Sequence, residues 1–346
     1  MPHYAVLLKA NNNRVFGEAT FALAAAELRA IDAHVLGGVI GSCERQSIAG
    51  VDYLVVHTAE PLDDRRLAVV GNLSSLHALF EVEDTARFRP RLAHPRAVLA
   101  NDLLTIQRYP GKTNEAFTHL LVNLALAASA GAFERMLAGE PLRLLDPTCG
   151  RGTTLNRAAV YGMDGVGIDA DARDVEAYAL FLLTWLKDKR IKHRVDKATL
   201  RKGRVSTAHR ITVTYRTPGA GGTDRVVDLV HDDTLRARDH LKARSIDLLA
   251  CDLPYGVKHG SQPGHGRLER GPADLLEQAL PVWFDLLRPG AAAVFAWNRR
   301  TLPRGLLADL AVRAGFTVES KVDEAFVHRV DRAITRDVLV AVRPPL

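Results

Sequence analysis

One stretch constrains the fold more than any other in the 346 residues: Leu144-Leu145-Asp146-Pro147-Thr148-Cys149-Gly150-Arg151-Gly152-Thr153-Thr154-Leu155. The apolar run Leu142 to Leu145 predicts a strand, the two glycines a tight loop, and Thr154 to Tyr161 a helix. A strand, a glycine turn and a helix start in that order place exposed backbone amides beside a ligand at the carboxyl edge of a sheet. Val166-Gly167-Ile168-Asp169 follows as a second strand ending in a carboxylate, which can accept hydrogen bonds from both hydroxyls of a ribose. Gly150-Arg151-Gly152 is followed by Thr153-Thr154-Leu155, so the third glycine of a GxGxxG fingerprint is missing, and no GK[ST] ending is present. Dinucleotide and P-loop readings both weaken.

Strand and helix patterns alternate through the rest of this half. A helix is expected from about Arg173 to Leu186, with Asp171 as its cap, then strands at Val226 to Val230 and Asp247 to Ala250. Leu275 to Leu287 reads as a helix stopped by Arg288-Pro289-Gly290, and Ala292 to Trp297 as a further strand. Upstream, Asn114 is placed to cap a helix carrying Phe117, Leu120, Leu121, Leu124 and Ala128. Alternation of this kind predicts a doubly wound, mostly parallel α/β sheet.

The first hundred residues read differently, as a small α+β unit. Tyr4 to Lys9 predicts a strand and Glu18 to Ile31 a helix. Tyr53 to His57 and Leu67 to Val70 are β-rich runs separated by a Pro-Leu-Asp-Asp turn signal, and Leu73 to Phe80 has helical spacing. Arg87 to Arg96, with Pro90 and Pro95, reads as a linker. The expected organisation is thus an N-terminal unit over 1–95 and an α/β domain over 100–346, the latter carrying a basic insertion at 187–225.

That insertion holds twelve lysines and arginines against three aspartates, a charge of +9 in a chain whose total is +6. Such a patch suits a polyanion, since basic side chains displace counterions from phosphates, although a solvated charged insertion without a partner has the same composition. The Arg210 to Tyr215 run alternates with strand period, which predicts a projecting hairpin. Nearly half the residues are apolar and a quarter are charged, the balance of a globular chain. Cys43, Cys149 and Cys251 form no CxxC pair, so neither a zinc ribbon nor another metal site is expected. No apolar run reaches the roughly 18 residues of a membrane span, and a reducing cytoplasm is the expected location.

The second chemical motif is Ile246-Asp247-Leu248-Leu249-Ala250-Cys251-Asp252-Leu253-Pro254-Tyr255-Gly256. A strand here delivers an acid, a rigid turn and an aromatic ring to the same sheet edge. Methylating an exocyclic amine needs that set. Asp252 and the Leu253 carbonyl could accept the amine's two hydrogens while the face of Tyr255 stacks on a flat base. Asp252 could also take the surplus proton. Alignment of the nitrogen with the methyl group would supply most of the acceleration.

Together these residues resemble the class I S-adenosylmethionine-dependent methyltransferases acting on nucleic-acid amino groups, most strongly the THUMP-associated tRNA guanosine-N2 methyltransferases. The resemblance runs from about Asp102 to Arg343. Asp146-Pro147-x-Cys149-Gly150-x-Gly152 looks like that family's cofactor loop, and Asp252-Leu253-Pro254-Tyr255 like its target-amine motif. Gly111-Lys112-Thr113-Asn114-Glu115 looks like its segment leading into the preceding helix. The resemblance implies a Rossmann-like methyltransferase sheet and S-adenosylmethionine as cofactor. Asp146 would approach the methionine amino group, Asp169 the ribose, and Asp232 or Asp233 the adenine amine. Asp252, Leu253, Pro254 and Tyr255 would hold the target, and tRNA would be the partner. Two features depart from the pattern: the family usually has proline where this chain has Leu253, and the N-terminal region is shorter than the usual THUMP-containing one.

A DNA amino-methyltransferase acting on adenine N6 or cytosine N4 would use nearly the same acceptors. So would an enzyme methylating a small amine or a peptide, and a nucleic-acid-binding protein could retain the pocket without the chemistry. Cys149 and Cys251 are expected as small buried fillers rather than nucleophiles. Lys112 and Asn114 are read equally as substrate contacts or as a helix start. Residues 328–336 are expected to close a β-hairpin with the Val338 to Val342 run, their arginines lying beside a phosphate path. The glycine-rich stretch from Lys258 to Gly271 is expected to be a lid.

Overall fold

The computed structural model describes residues 2–10, 14–84, 87–93, 95–202, 205–219, 221–254, 271–320 and 325–345. Tyr255 and nearly all of the expected lid lie outside the described residues.

The N-terminal region forms β1 (His3–Leu8), α1 (Arg14–Ile31), β2 (Ile40–Ile48), β3 (Val51–Thr58), α2 (Asp64–Val70), β4 (Leu76–Asp84) and β5 (Arg87–Arg91). The five strands make one antiparallel sheet in the order β2-β3-β1-β4-β5. Three expectations fail here. Leu67 to Val70 is helical, because Asp63 caps its start by accepting from the Arg66 amide at 2.8 Å. The run expected as a helix from Leu73 to Phe80 instead enters β4, where β1 and β5 on either side satisfy its backbone. The expected linker begins with β5, an edge strand, where Pro90 is tolerated because no further strand needs its missing amide.

The remainder forms α3 (Asp102–Thr105), α4 (Glu115–Ala128), α5 (Ala132–Ala138), β6 (Arg143–Asp146), α6 (Thr153–Tyr161), β7 (Asp164–Asp169), α7 (Ala172–Asp188), β8 (His193–Lys202), β9 (Val205–Arg216) and β10 (Asp224–His231). It continues with α8 (Ala237–His240), β11 (Ile246–Asp252), α9 (Pro272–Leu286), β12 (Leu287–Asn298), α10 (Arg304–Arg313), β13 (Thr317–Val318), β14 (His328–Arg329) and β15 (Thr335–Val342). Its sheet runs β13-β15-β12-β11-β6-β7-β10-β9-β8, with β14 paired to β15. The five strands β10, β7, β6, β11 and β12 are mutually parallel. From β6 the chain winds outward through β7 and β10, then crosses back to β11 and β12 on the other side. The expected fold, a doubly wound and mostly parallel α/β sheet beside a small α+β N-terminal sheet, is therefore what the structure shows. The order reverses between β6 and β11, which opens a crevice at their carboxyl ends.

The basic insertion forms the expected hairpin, β8 and β9, laid along β10 with its tip beyond His209 running past the last residue of β10. β9 pairs antiparallel along the whole of β10, and β8 forms the outer edge. Part of its charge is paired or buried. Arg210 pairs with the buried Asp228, Lys189 with Asp102, Arg216 with Asp224, and Arg194 with Asp196. Arg225 is buried and donates to the carbonyls of Gly162, Gly139 and Asp224.

The apolar core runs without interruption from the N-terminal sheet through α1 and α4 to β6, β10, β11 and β12. A polar chain threads it. Glu27 of α1, fully buried, accepts from the Ser74 amide and hydroxyl and, at 2.7 Å, from Asn123 of α4. Asn123 also donates to the Asn72 carbonyl and accepts from Tyr161 of α6 at 2.7 Å. Burial pushes the Glu27 carboxyl up to about 7 against the opposing effect of these hydrogen bonds. No helix among the described residues is long and apolar enough to cross a membrane.

Candidate active site

Parallel strands deliver their last residues to one edge, so Asp146 of β6, Asp169 of β7 and Asp252 of β11 converge on the crevice. The loop between β6 and α6 is bound to the end of β7. The Cys149 amide donates to the Ile168 carbonyl at 3.0 Å, and the Gly150 amide to Asp169 Oδ2 at 2.7 Å. Asp169 Oδ1 accepts from the Asp171 amide at 2.9 Å. Asp171 in turn caps α7 through the Arg173 amide, the role expected for it.

Both loop glycines have positive φ, +47° at Gly150 and +74° at Gly152, a region that side-chain-bearing residues rarely adopt. They differ in what surrounds them. A Cβ on Gly152 would lie 2.4 Å from Tyr178 Cζ, so the Tyr178 ring, anchored through its hydroxyl on Asn156 at 3.0 Å, requires glycine there. A Cβ on Gly150 would point into open space.

Asp146 is buried, and its carboxyl is pushed up to about 7 by burial, with the charges of Asp169 and Asp252 adding to the effect. Hydrogen bonds from the Thr154 side chain and the Thr148 amide oppose it. Burial also raises Asp169. Thr148 Oγ1 is buried with no hydrogen-bond partner among the described residues. Cys149 and Cys251 are buried, and burial holds both thiols well above the usual range, so neither is poised as a nucleophile. Tyr109 lies against the loop, its hydroxyl 3.0 Å from Thr153 Oγ1 and its ring under the Arg151 guanidinium.

Beyond β10, Asp232 is buried. It is engaged by His240 Nε2 at 2.7 Å, Arg236 Nη1 at 3.3 Å and the Asp233 amide at 2.8 Å. Asp233 is half-buried and caps the short turn that follows through the Leu235 amide at 3.0 Å. Of the two residues, Asp233 is the more exposed.

At the carboxyl end of β11, Leu253 is buried and its amide continues the sheet by donating to the Ala296 carbonyl at 2.8 Å, while Pro254 is exposed. Pro147, which follows Asp146, is buried. The Asp252 carboxylate is held by two residues that its own sequence neighbourhood does not announce. Thr113 Oγ1 donates to Asp252 Oδ2 at 2.7 Å, and Arg336 Nη2 to the same oxygen at 3.0 Å. Arg336 is buried on β15 with its guanidinium 4.7 Å from the centre of the Phe117 ring. The residues on either side of Thr113 have other duties. Lys112 donates to the Leu104 carbonyl and pairs with Glu115, and Asn114 caps α4 through the amides of Ala116 and Phe117. Both are helix-start residues. The β14–β15 hairpin forms as expected.

Among the described residues no group of three His, Cys, Asp or Glu side chains is arranged to hold a metal. No family model and no curated protein matches the sequence. Solved structures similar to the chain include a TehB-like SAM-dependent methyltransferase from Corynebacterium glutamicum, 17% identical and covering 61% of this chain and 86% of that one, with a TM-score of 0.34. An rRNA methylase from Streptococcus thermophilus is 10% identical, covering 59% of this chain and 87% of that one, with a TM-score of 0.34. A methyltransferase from Pyrococcus furiosus is 12% identical, covering 69% and 88% respectively, with a TM-score of 0.35.

Proposed function

We propose that this chain transfers a methyl group from S-adenosylmethionine to an exocyclic amino nitrogen of a nucleic-acid base, with N2 of a tRNA guanosine as the first target to test. The observation that carries the reading is the adjacency of two chemically different sites at one sheet edge. A glycine loop bridged to Asp169 lies on one side of Asp146, and the clamped Asp252 on the other, close enough for its charge to act on Asp146.

The first site suits the cofactor. The space above Gly150 is open, the Thr148 hydroxyl is buried without a partner, and α6 presents its first-turn amides behind the loop. Asp169 would hold the ribose, Asp146 the methionine amino group and Asp233 the adenine amine. Bound S-adenosylmethionine would supply an electrophilic methyl group.

At the second site, Asp252 and the Leu253 carbonyl would accept the two hydrogens of the target amine. Its lone pair would then face the crevice. Transfer leaves the nitrogen with one proton too many, and Asp252 is placed to accept it and pass it to solvent. Thr113 and Arg336, both donating to Oδ2, fix the carboxylate's orientation through the reaction.

The test uses the full-length protein with methyl-labelled S-adenosylmethionine and, in parallel, unmodified tRNA, other RNA and DNA. Products are digested and the labelled nucleoside identified, with Asp252→Ala as control. Label in N2-methylguanosine that the variant does not produce is the expected result. Label in a DNA base would keep the chemistry and replace the substrate. Cofactor binding without transfer to any nucleic acid would overturn the reading.

A further inference from the structure

We propose that the turn between β14 and β15, together with the first residues after β12, docks the sugar-phosphate backbone of the substrate strand immediately beside the target base. This rests on the nucleic-acid reading above and names the surface that would receive the strand.

Asn298 builds the surface. It is the last residue of β12, buried, and two positions beyond Ala296, the register partner of Asp252. Its Nδ2 donates to the Ala333 carbonyl at 3.3 Å, and its Oδ1 accepts from the Thr335 amide at 3.1 Å and the Arg300 amide at 3.2 Å. The Arg299 amide adds a bond to the Thr335 carbonyl at 2.8 Å. One side chain thus locks two loops together at the carboxyl edge. Arg336, next in sequence to Thr335, reaches from this frame to Asp252 itself.

Arg300, Arg329 and Arg332 are exposed on the frame. None has a carboxylate partner among the described residues. Arg300 donates to Thr335 Oγ1 and Arg329 to the Asp331 carbonyl. The local acids are otherwise engaged. Asp331 Oδ1 accepts from the amides of Ala333 and Ile334, and Asp337 is buried against Arg304 and Arg299. Three cations on a rigid frame next to a target-holding carboxylate fit a chain of phosphates.

The contrast with the basic insertion sharpens the assignment. Four of that segment's bases are ion-paired and Arg225 is buried. Of its exposed bases, Lys187, Arg190 and Lys192 lie where α7 ends and β8 begins, at the amino edge, while Lys197 lies further along β8, the outermost strand, five strands away from β11 and Asp252.

Binding of labelled, unmodified tRNA and of a DNA duplex to the full-length protein, by fluorescence anisotropy across a salt series, tests the proposal. Three proteins are compared: wild type, the triple variant Arg300→Gln/Arg329→Gln/Arg332→Gln, and a control triple, Lys187→Gln/Arg190→Gln/Lys192→Gln, that removes the same charge. The arginine triple should weaken tRNA binding about tenfold or more and flatten the slope of log affinity against log salt by about 2, while the control stays near wild type. A loss seen only with DNA would keep the phosphate surface and assign it to DNA. Equal losses in both triples, no loss in the arginine triple, or no nucleic-acid binding by wild type would each overturn it. Binding is read without methyl transfer, so a failure of the proposed reaction is distinguishable from a failure of this surface.

Discussion

On the proposed function, Arg336→Met separates orientation of the target-holding Asp252 from construction of the cofactor site. In the wild-type structure the Arg336 and Asp252 side chains are 8% and 17% exposed, so the bond between them is largely shielded from solvent. Methionine keeps much of the side-chain bulk beside Phe117 but removes the donor, while Thr113 still donates to Asp252 Oδ2. A charge-assisted hydrogen bond of this kind contributes about 1.5–3 kcal/mol. If that orientation matters only while the amine is being methylated, kcat falls by roughly 10- to 150-fold. Arg336→Lys keeps the charge without the planar fork and should recover only part of the loss. Among the described residues Arg336 has no hydrogen bond to the β6–α6 loop, so cofactor affinity by calorimetry should be unchanged. The assay is single-turnover methyl transfer to tRNA at saturating cofactor, with urea unfolding confirming that the variant is folded. A folded Arg336→Met protein with wild-type turnover, or one whose cofactor affinity falls in step with its rate, would refute the reasoning.

Gly152→Ala should destabilise the protein by about 2–5 kcal/mol in urea unfolding, since a left-handed backbone and a clash with the Tyr178 ring act together. A cost below about 0.5 kcal/mol would count against the ring contact. Thr113→Val should lower kcat by about tenfold with little change in cofactor affinity, through the bond it removes from Asp252. Glu27 and Asp146 give a pH dependence whose sign is definite. Both carboxyls sit at about 7 in the folded chain, above their ordinary values, so the folded state holds their protons more tightly than the unfolded state. Their contribution is therefore fully present below the ordinary carboxylate range and lost as pH rises from about 4 to about 7. Glu27→Gln should flatten that decline by up to about 3 kcal/mol, measured as unfolding free energy at mildly acidic and mildly alkaline pH. Cys149 and Cys251 should resist alkylation in the native protein and react freely in denaturant; fast native labelling would contradict their burial.

The amino-acid sequence by itself determined the parts of this protein that depend on neighbours along the chain. The β6–loop–α6 unit, β7 ending at Asp169, the Asn114 and Asp171 caps and the Asp252 strand were all legible, because apolar runs, glycine turns and capping side chains act over a few residues. Where two local signals competed, the sequence misled. The run at Leu67 looked β-rich but was claimed by the Asp63 cap, and the helical spacing at Leu73 to Phe80 was overridden by β1 and β5 on either side of β4. β2 went unread because an edge strand with one pairing partner needs little apolar patterning. Only the tertiary structure decided what surrounds Asp252. Thr113 and Arg336 lie 139 and 84 residues away along the chain, and no spacing rule links them. They meet because β11, β12 and β15 are adjacent in the sheet and α4 packs across β11, β12 and β15, with Thr113 just ahead of its start. The same holds for charge. Composition located an excess of cations between 187 and 225, but pairing distances and strand direction decide which cations are neutralised and which end of the sheet they occupy.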